Sequence, residues 1–326
     1  MQARAMAGEV AVAAVTAGER RYSSPAFEGL SFRFAVRASD PVLGRYLEAV
    51  LAPLRSRKAA SHHYSLVTAR GGSVEVFLDD TMIARAGDRA EAAAWVLWHL
   101  NRAVVDASGE HILLHAGAVR AGDAGIIVPA PMSSGKTTLV AGLVQRGLGY
   151  MTDEVVALTA DGSTLLPFPK ALSVERGSLA VLFGSGGRPG PAPDLGGDQF
   201  HVVPDDLRPG SAAGPCAPAM VIAPRYRPGR PSTLVPMDGA EAVLELSTNA
   251  VNLDRHGGRG LRVLAAVAER CACYRLEVSD LDDACRLVAG ALDALDAVGP
   301  LDTVAAIYAI DRLDALDALD AVRGAS

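Results

Sequence analysis

Ile126-Ile127-Val128-Pro129-Ala130-Pro131-Met132-Ser133-Ser134-Gly135-Lys136-Thr137-Thr138-Leu139-Val140 is the stretch that decides the fold. A short apolar run reads as a strand buried on both faces. A loop of small residues ending in Gly135-Lys136-Thr137 follows, and a helix begins there, with Leu139, Val140, Leu143 and Val144 on one face and Gly147 at its stop. Strand, loop and helix in this order bring backbone N–H groups to a helix N-terminus, where the helix dipole favours an anion. The pattern is that of a phosphate-binding loop with Ala130 at its first position. In such a loop Ser133, Ser134, Gly135, Lys136, Thr137 and Thr138 would surround a nucleotide's phosphates, Lys136 bridging the β- and γ-phosphates and the Thr137 hydroxyl taking a Mg²⁺ position. The chain has only three lysines, Lys58, Lys136 and Lys170, against a background of arginine, so a lysine at 136 marks a site where a guanidinium would not fit.

Working outward, Asp153-Glu154 follows the apolar run 148–152 and precedes another at 155–158. The end of the next strand in such a sheet lies beside the nucleotide, so paired carboxylates there suit Mg²⁺ binding and acceptance of a proton from an acceptor hydroxyl. His115 closes the apolar run 112–114 and is followed by the small residues Ala116-Gly117. A strand histidine is more often a satisfied core residue, yet this one sits just ahead of the loop strand.

Before residue 107 the texture differs. Phe32, Phe34 and Val36 alternate with polar residues, Asp40-Pro41 reads as a helix start, and 64–68 and 74–78 read as strands with a turn at Asp79-Asp80. A long helix is expected over 88–106. The expected organisation is therefore α/β: a smaller α+β domain at 1–107, a P-loop domain at 108–298 and a Leu-Asp-Ala tail at 299–326. The stretch 184–197 is almost wholly Gly, Pro, Ala, Ser and Asp and is expected to be a mobile loop, as is 209–218.

At 326 residues, 50% hydrophobic and 21% charged, the chain can bury a full core. Its formal charge of −6, with no basic stripe, makes nucleic acid a poor partner. No apolar run approaches the ~20 residues a spanning helix needs, so a cytoplasmic protein off the membrane is expected. Four cysteines, at 216, 271, 273 and 285, offer neither a disulfide framework nor a zinc spacing.

Taken together, His115-Ala116-Gly117, the loop 130–137, Gln145-Arg146-Gly147, and Asp153-Glu154 at seventeen and eighteen residues beyond Lys136 resemble the catalytic domain of bacterial HPr kinase/phosphorylase. The segments Trp98-His99-Leu100-Asn101-Arg102, Leu114 to Val119, Pro167-Phe168-Pro169-Lys170 and Pro224-Arg225-Tyr226-Arg227-Pro228-Gly229 are similar to the HPr-kinase-like kinases of peptide-maturation clusters, including those that act on lasso-peptide precursors. The resemblance spans about residues 28–290. It implies a P-loop kinase domain like the HPr kinase C-terminal domain, with ATP and Mg²⁺ as cofactors and the serine of a peptide or small protein as acceptor. A small-molecule acceptor, or a silent nucleotide-binding partner protein, are the alternatives, and a homo-oligomer is left open. By the same resemblance Asp153 would be the base, Lys136 and Thr137 would hold triphosphate and metal, and His115 would lie near the transferred group. Asp153 and Glu154 join Thr137 as metal ligands, with Glu154 where the bifunctional enzymes carry a second Asp. Lys170 gains interest as a nucleotide contact, and Arg225, Arg255 and His256 as cations for the transferred group. The Glu154 exchange, and the absence of the glycine-containing signature that follows the acids in bifunctional enzymes, argue against a reverse, phosphorylase activity.

Overall fold

The computed structural model describes residues 22–69, 71–131, 134–184, 187, 190, 195–196 and 199–298. In chain order the elements begin with β1 (Tyr22–Ser23), β2 (Phe27–Gly29), β3 (Phe32–Ala38), α1 (Pro41–Leu51), β4 (His62–Thr68), β5 (Val74–Leu78), β6 (Thr81–Ala86) and α2 (Arg89–Ala107). Next come β7 (Ile112–Ala121), β8 (Ala124–Pro129), α3 (Lys136–Gln145), β9 (Gly149–Thr152), β10 (Val155–Leu158) and β11 (Leu165–Leu166). The segment β12 (Leu172–Glu175), α4 (Arg176–Phe183) and β13 (Gln199–Val202) follows. The chain then forms β14 (Ala217–Tyr226), β15 (Thr233–Pro236), α5 (Gly239–Thr248), α6 (Leu253–Arg270), β16 (Ala272–Val278) and α7 (Leu281–Val298). The architecture is mixed α/β. Among the described residues no helix is long and apolar enough to cross a membrane.

The chain divides into two compact units, and they are not consecutive blocks. Of the described residues, those up to 109 form the first together with those of 167–212; those of 110–166 and 213–298 form the second. The sequence places 167–212 in the P-loop domain. The structure instead packs this segment into the first unit through Phe168, which is fully buried and lies so close to Gly29 that a Cβ there would stand 2.6 Å from its ring. The first unit holds a six-stranded sheet in the order β1-β3-β4-β5-β6, with β2 also on β3. Asp40 caps α1 by accepting from the Val42 N–H at 2.9 Å, as Asp40-Pro41 predicts.

The second unit is built on an eight-stranded sheet, β11-β10-β7-β8-β14-β16-β15 with β9 also on β7. β8, β14 and β16 run parallel, and β7 runs antiparallel to β8. Alternate β7 residues Ile112, Leu114, Ala116 and Ala118 join Leu246 of α5 and Leu264 and Val267 of α6 in one core. Gly117, between them, faces α3, and a Cβ there would stand 2.5 Å from Val140 Cγ2. Two sequence expectations need correction. His115 does not end its strand, since β7 continues to Ala121 against β8. The stretch 209–218 is anchored at several points, with Ser211 and Cys216 buried and the Ala213 N–H donating to the Tyr150 carbonyl at 2.8 Å, although Pro209, Gly210, Ala212 and Pro215 are exposed. Most of the 184–197 stretch, and the tail 299–326, lie outside the described residues.

Candidate phosphate-transfer site

The site forms where the pairing of β7 changes on both flanks. β8 pairs with residues 116–121 of β7 and then leaves into the loop that opens α3. At residues 113–115 its place as a partner is taken by 249–252: the His115 N–H donates to the Asn249 carbonyl at 2.7 Å, and the Leu113 N–H to Asn252 Oδ1 at 2.9 Å. β9 pairs with residues 118–120 and β10 with 112–115, and Asp153-Glu154 is the break between these two strands. The bend is fixed locally, because Thr152 Oγ1 accepts the N–H groups of Glu154 and Val155 at 3.2 and 3.3 Å. A strand end, a helix start and a strand break therefore meet beside His115.

Gly135 caps α3 in the left-handed region at φ +88°, a conformation that glycine adopts without strain. Lys136 is only 6% exposed, and its Nζ lies 2.9 Å from His115 Nε2. Burial pulls the Lys136 ammonium below its ordinary pKa, while Glu154 and then Asp153 hold it up. Burial likewise lowers His115, the Lys136 charge lowers it further, and Glu154, 3.9 Å from Nδ1, opposes both. Asp153 is 2% exposed. Its Oδ2 accepts from Thr137 Oγ1 at 3.2 Å and its Oδ1 from the Tyr150 hydroxyl at 3.1 Å.

The residues present fit a triphosphate. Among the described residues Ser134 Oγ, at the start of α3, is buried without a hydrogen-bond partner, a polar atom that a phosphate oxygen would satisfy. Thr137 and Asp153 already touch, and together they offer hard oxygen ligands of the kind Mg²⁺ takes alongside phosphate oxygens. Among the described residues no group of three or more His, Cys, Asp or Glu could hold a metal by itself.

The structure brings His115, Lys136, Thr137, Asp153 and Glu154 together, with Ser134, Gly135 and Thr138 at the same helix start. Ser133 lies outside the described residues. Lys170 belongs to the first unit, buried, with Nζ donating to the Ala171 carbonyl at 3.3 Å. Arg225, at the end of β14, pairs with Glu245 of α5. His256 is engaged with the His111 carbonyl at 2.9 Å, and Arg255 stands exposed on the same turn. Sequence reasoning missed Tyr150 and Asn249. Tyr150 had a signal, being three residues before an acid expected in a buried setting, whereas a main-chain carbonyl such as that of Asn249 leaves none.

No family model and no curated protein matches the chain. Among solved structures it is similar to the HPr(Ser) kinase/phosphatase from Coxiella burnetii, with 15% identity and a TM-score of 0.24. That similarity covers 36% of this chain and 60% of the other.

Proposed function

We propose that the second unit is a kinase that transfers the γ-phosphoryl group of Mg²⁺-ATP to a hydroxyl, the acceptor being a serine of a precursor peptide or small protein. The observation that carries this reading is the meeting of the Lys136 ammonium, the Thr137 hydroxyl and the buried Asp153 carboxylate at the start of α3. The same carboxylate could serve a protein that only bound Mg²⁺-nucleotide, so transfer itself is what the test below must show. The α3 N–H groups and Lys136 bind and orient the phosphate oxygens. Mg²⁺ supplies positive charge to the β- and γ-oxygens when bound. Asp153 takes the proton of the acceptor hydroxyl as its oxygen bonds to the γ-phosphorus, and the bond to the β-phosphate oxygen breaks to release ADP. His115, as a neutral acceptor, holds Lys136, and Glu154 steadies His115 from the other ring nitrogen. The acceptor class is supported by the sequence resemblance to peptide-cluster kinases.

The test is γ-labelled ATP with serine peptides in one set of reactions and small hydroxyl metabolites in another. Label on a peptide serine is the expected result. Label on metabolites alone would replace the acceptor class, and ATP binding with no transfer to either would leave a nucleotide-binding partner protein.

A further inference from the structure

Tyr150 is a fully buried tyrosine on β9 whose hydroxyl donates to Asp153 Oδ1 at 3.1 Å. Its backbone is fixed from two directions. β9 pairs it with Val119 of β7, and its carbonyl accepts from the Ala213 N–H at 2.8 Å. With the ring fully buried as well, its hydroxyl is confined beside Asp153. The other carboxylate oxygen, Oδ2, faces the Thr137 hydroxyl on α3. One carboxylate is thus oriented by a hydroxyl from the strand that precedes it and another from the start of α3. A phenylalanine would fill the same core space. The hydroxyl is the part that packing does not require.

We propose that Tyr150 is a positioning residue for the transfer: by holding Oδ1 it fixes the carboxylate plane of Asp153 and presents Oδ2 to Thr137, the metal-nucleotide and the acceptor proton. This rests on the kinase reading of the site. Groups that orient a ligating carboxylate commonly matter by about 10–100-fold in affinity or activity.

The experiment is a double-mutant cycle of Tyr150→Phe and Asp153→Asn in the full chain. One readout is the calorimetric affinity for Mn²⁺-ADP, which requires no transfer. The other is kcat and KM for ATP in the transfer assay. Phe keeps the ring and its packing, so the melting temperature reports any general loss of structure. Tyr150→Phe alone should weaken Mn²⁺-ADP binding and lower kcat by roughly tenfold or more. In the Asp153→Asn background the further cost should be much smaller, because the carboxylate that Tyr150 positions is gone even though the amide oxygen can still accept its hydroxyl. An equal cost in both backgrounds, with or without a lower melting temperature, overturns the proposal, as does no effect in either. If the parental chain transfers phosphate to no acceptor the kinase reading fails, while the Mn²⁺-ADP cycle still decides whether Tyr150 acts through Asp153.

Discussion

Lys136 Nζ lies 2.9 Å from Nε2 of His115, so the imidazole takes part there as a neutral acceptor for the ammonium. Burial and the lysine charge both keep His115 below its ordinary pKa, which suits that role. Lys136→Ala removes the charge that follows the γ-phosphate into the transition state. Transfer should fall by about 10³-fold and nucleotide affinity should weaken. Lys136→Arg should fare little better, because a planar guanidinium cannot occupy a slot between His115 and the start of α3 that is 6% exposed. Steady-state rates with calorimetric ATP titration check both variants, and near-parental turnover in either would remove the phosphate-binding role of this loop.

Gly117 sets how closely α3 approaches β7. A Cβ there meets Val140 Cγ2 at 2.5 Å and Lys136 Cγ at 3.4 Å. Gly117→Ala should destabilise the second unit by about 1–3 kcal/mol through overpacking and shift the Lys136 stem. Val140→Ala, which vacates the clashing methyl, should recover much of the loss when combined with it. Urea unfolding of the two single variants and the double variant reads this directly. Additive destabilisation would show that the contact is not what limits the approach.

Stability should depend on pH through His201 of the first unit. Its Nδ1 shares a 2.6 Å hydrogen bond with the Tyr46 hydroxyl, and burial, reinforced by the Lys170 charge, lowers its pKa from 6.5 to about 4. The folded state therefore binds fewer protons than the unfolded state between these values. The stabilisation is complete above pH 6.5 and is lost as pH falls toward 4, by up to about 3 kcal/mol. His201→Gln should flatten the unfolding midpoint against pH over this window relative to the parent. A parallel decline in both proteins would assign the acid sensitivity elsewhere.

Much of the site could be read from local pattern, because each of its parts is carried by adjacent residues: a helix start at Gly135-Lys136-Thr137 and a strand break at Asp153-Glu154. What the sequence hid was pairing between distant segments. β7 reads as ending at His115 because small and polar residues follow, yet β8 carries it on to Ala121, and 249–252 replaces β8 beyond Ala116. The placement of 167–212 turns on Phe168 packing at Gly29, a contact between residues 139 positions apart that no periodicity announces. By contrast α5 had a legible signal: Asp238 and Glu241 form a capping box that marks its start.

Asp153 and Glu154 are neighbours in sequence but differ in setting, and their neutral analogues should fail in different ways. Asp153 is 2% exposed and accepts from both Thr137 and Tyr150. Asparagine keeps its shape but cannot take a proton from the acceptor, and it turns an NH₂ toward one of the two hydroxyls. Transfer should therefore fall by about 10²-fold or more while nucleotide still binds. Glu154 is partly exposed, and its carboxylate stands 3.9 Å from His115 Nδ1. Glu154→Gln should leave a slower enzyme that added Mg²⁺ partly restores, because the base is untouched and the loss lies in metal binding and in the support of His115. The two variants should be compared in transfer assays across Mg²⁺ concentration beside calorimetric ATP titration. Parental transfer by Asp153→Asn would place the base elsewhere. Equal, Mg²⁺-independent losses in both would mean that the two carboxylates act as one unit, contrary to the separation that their burial and partners predict.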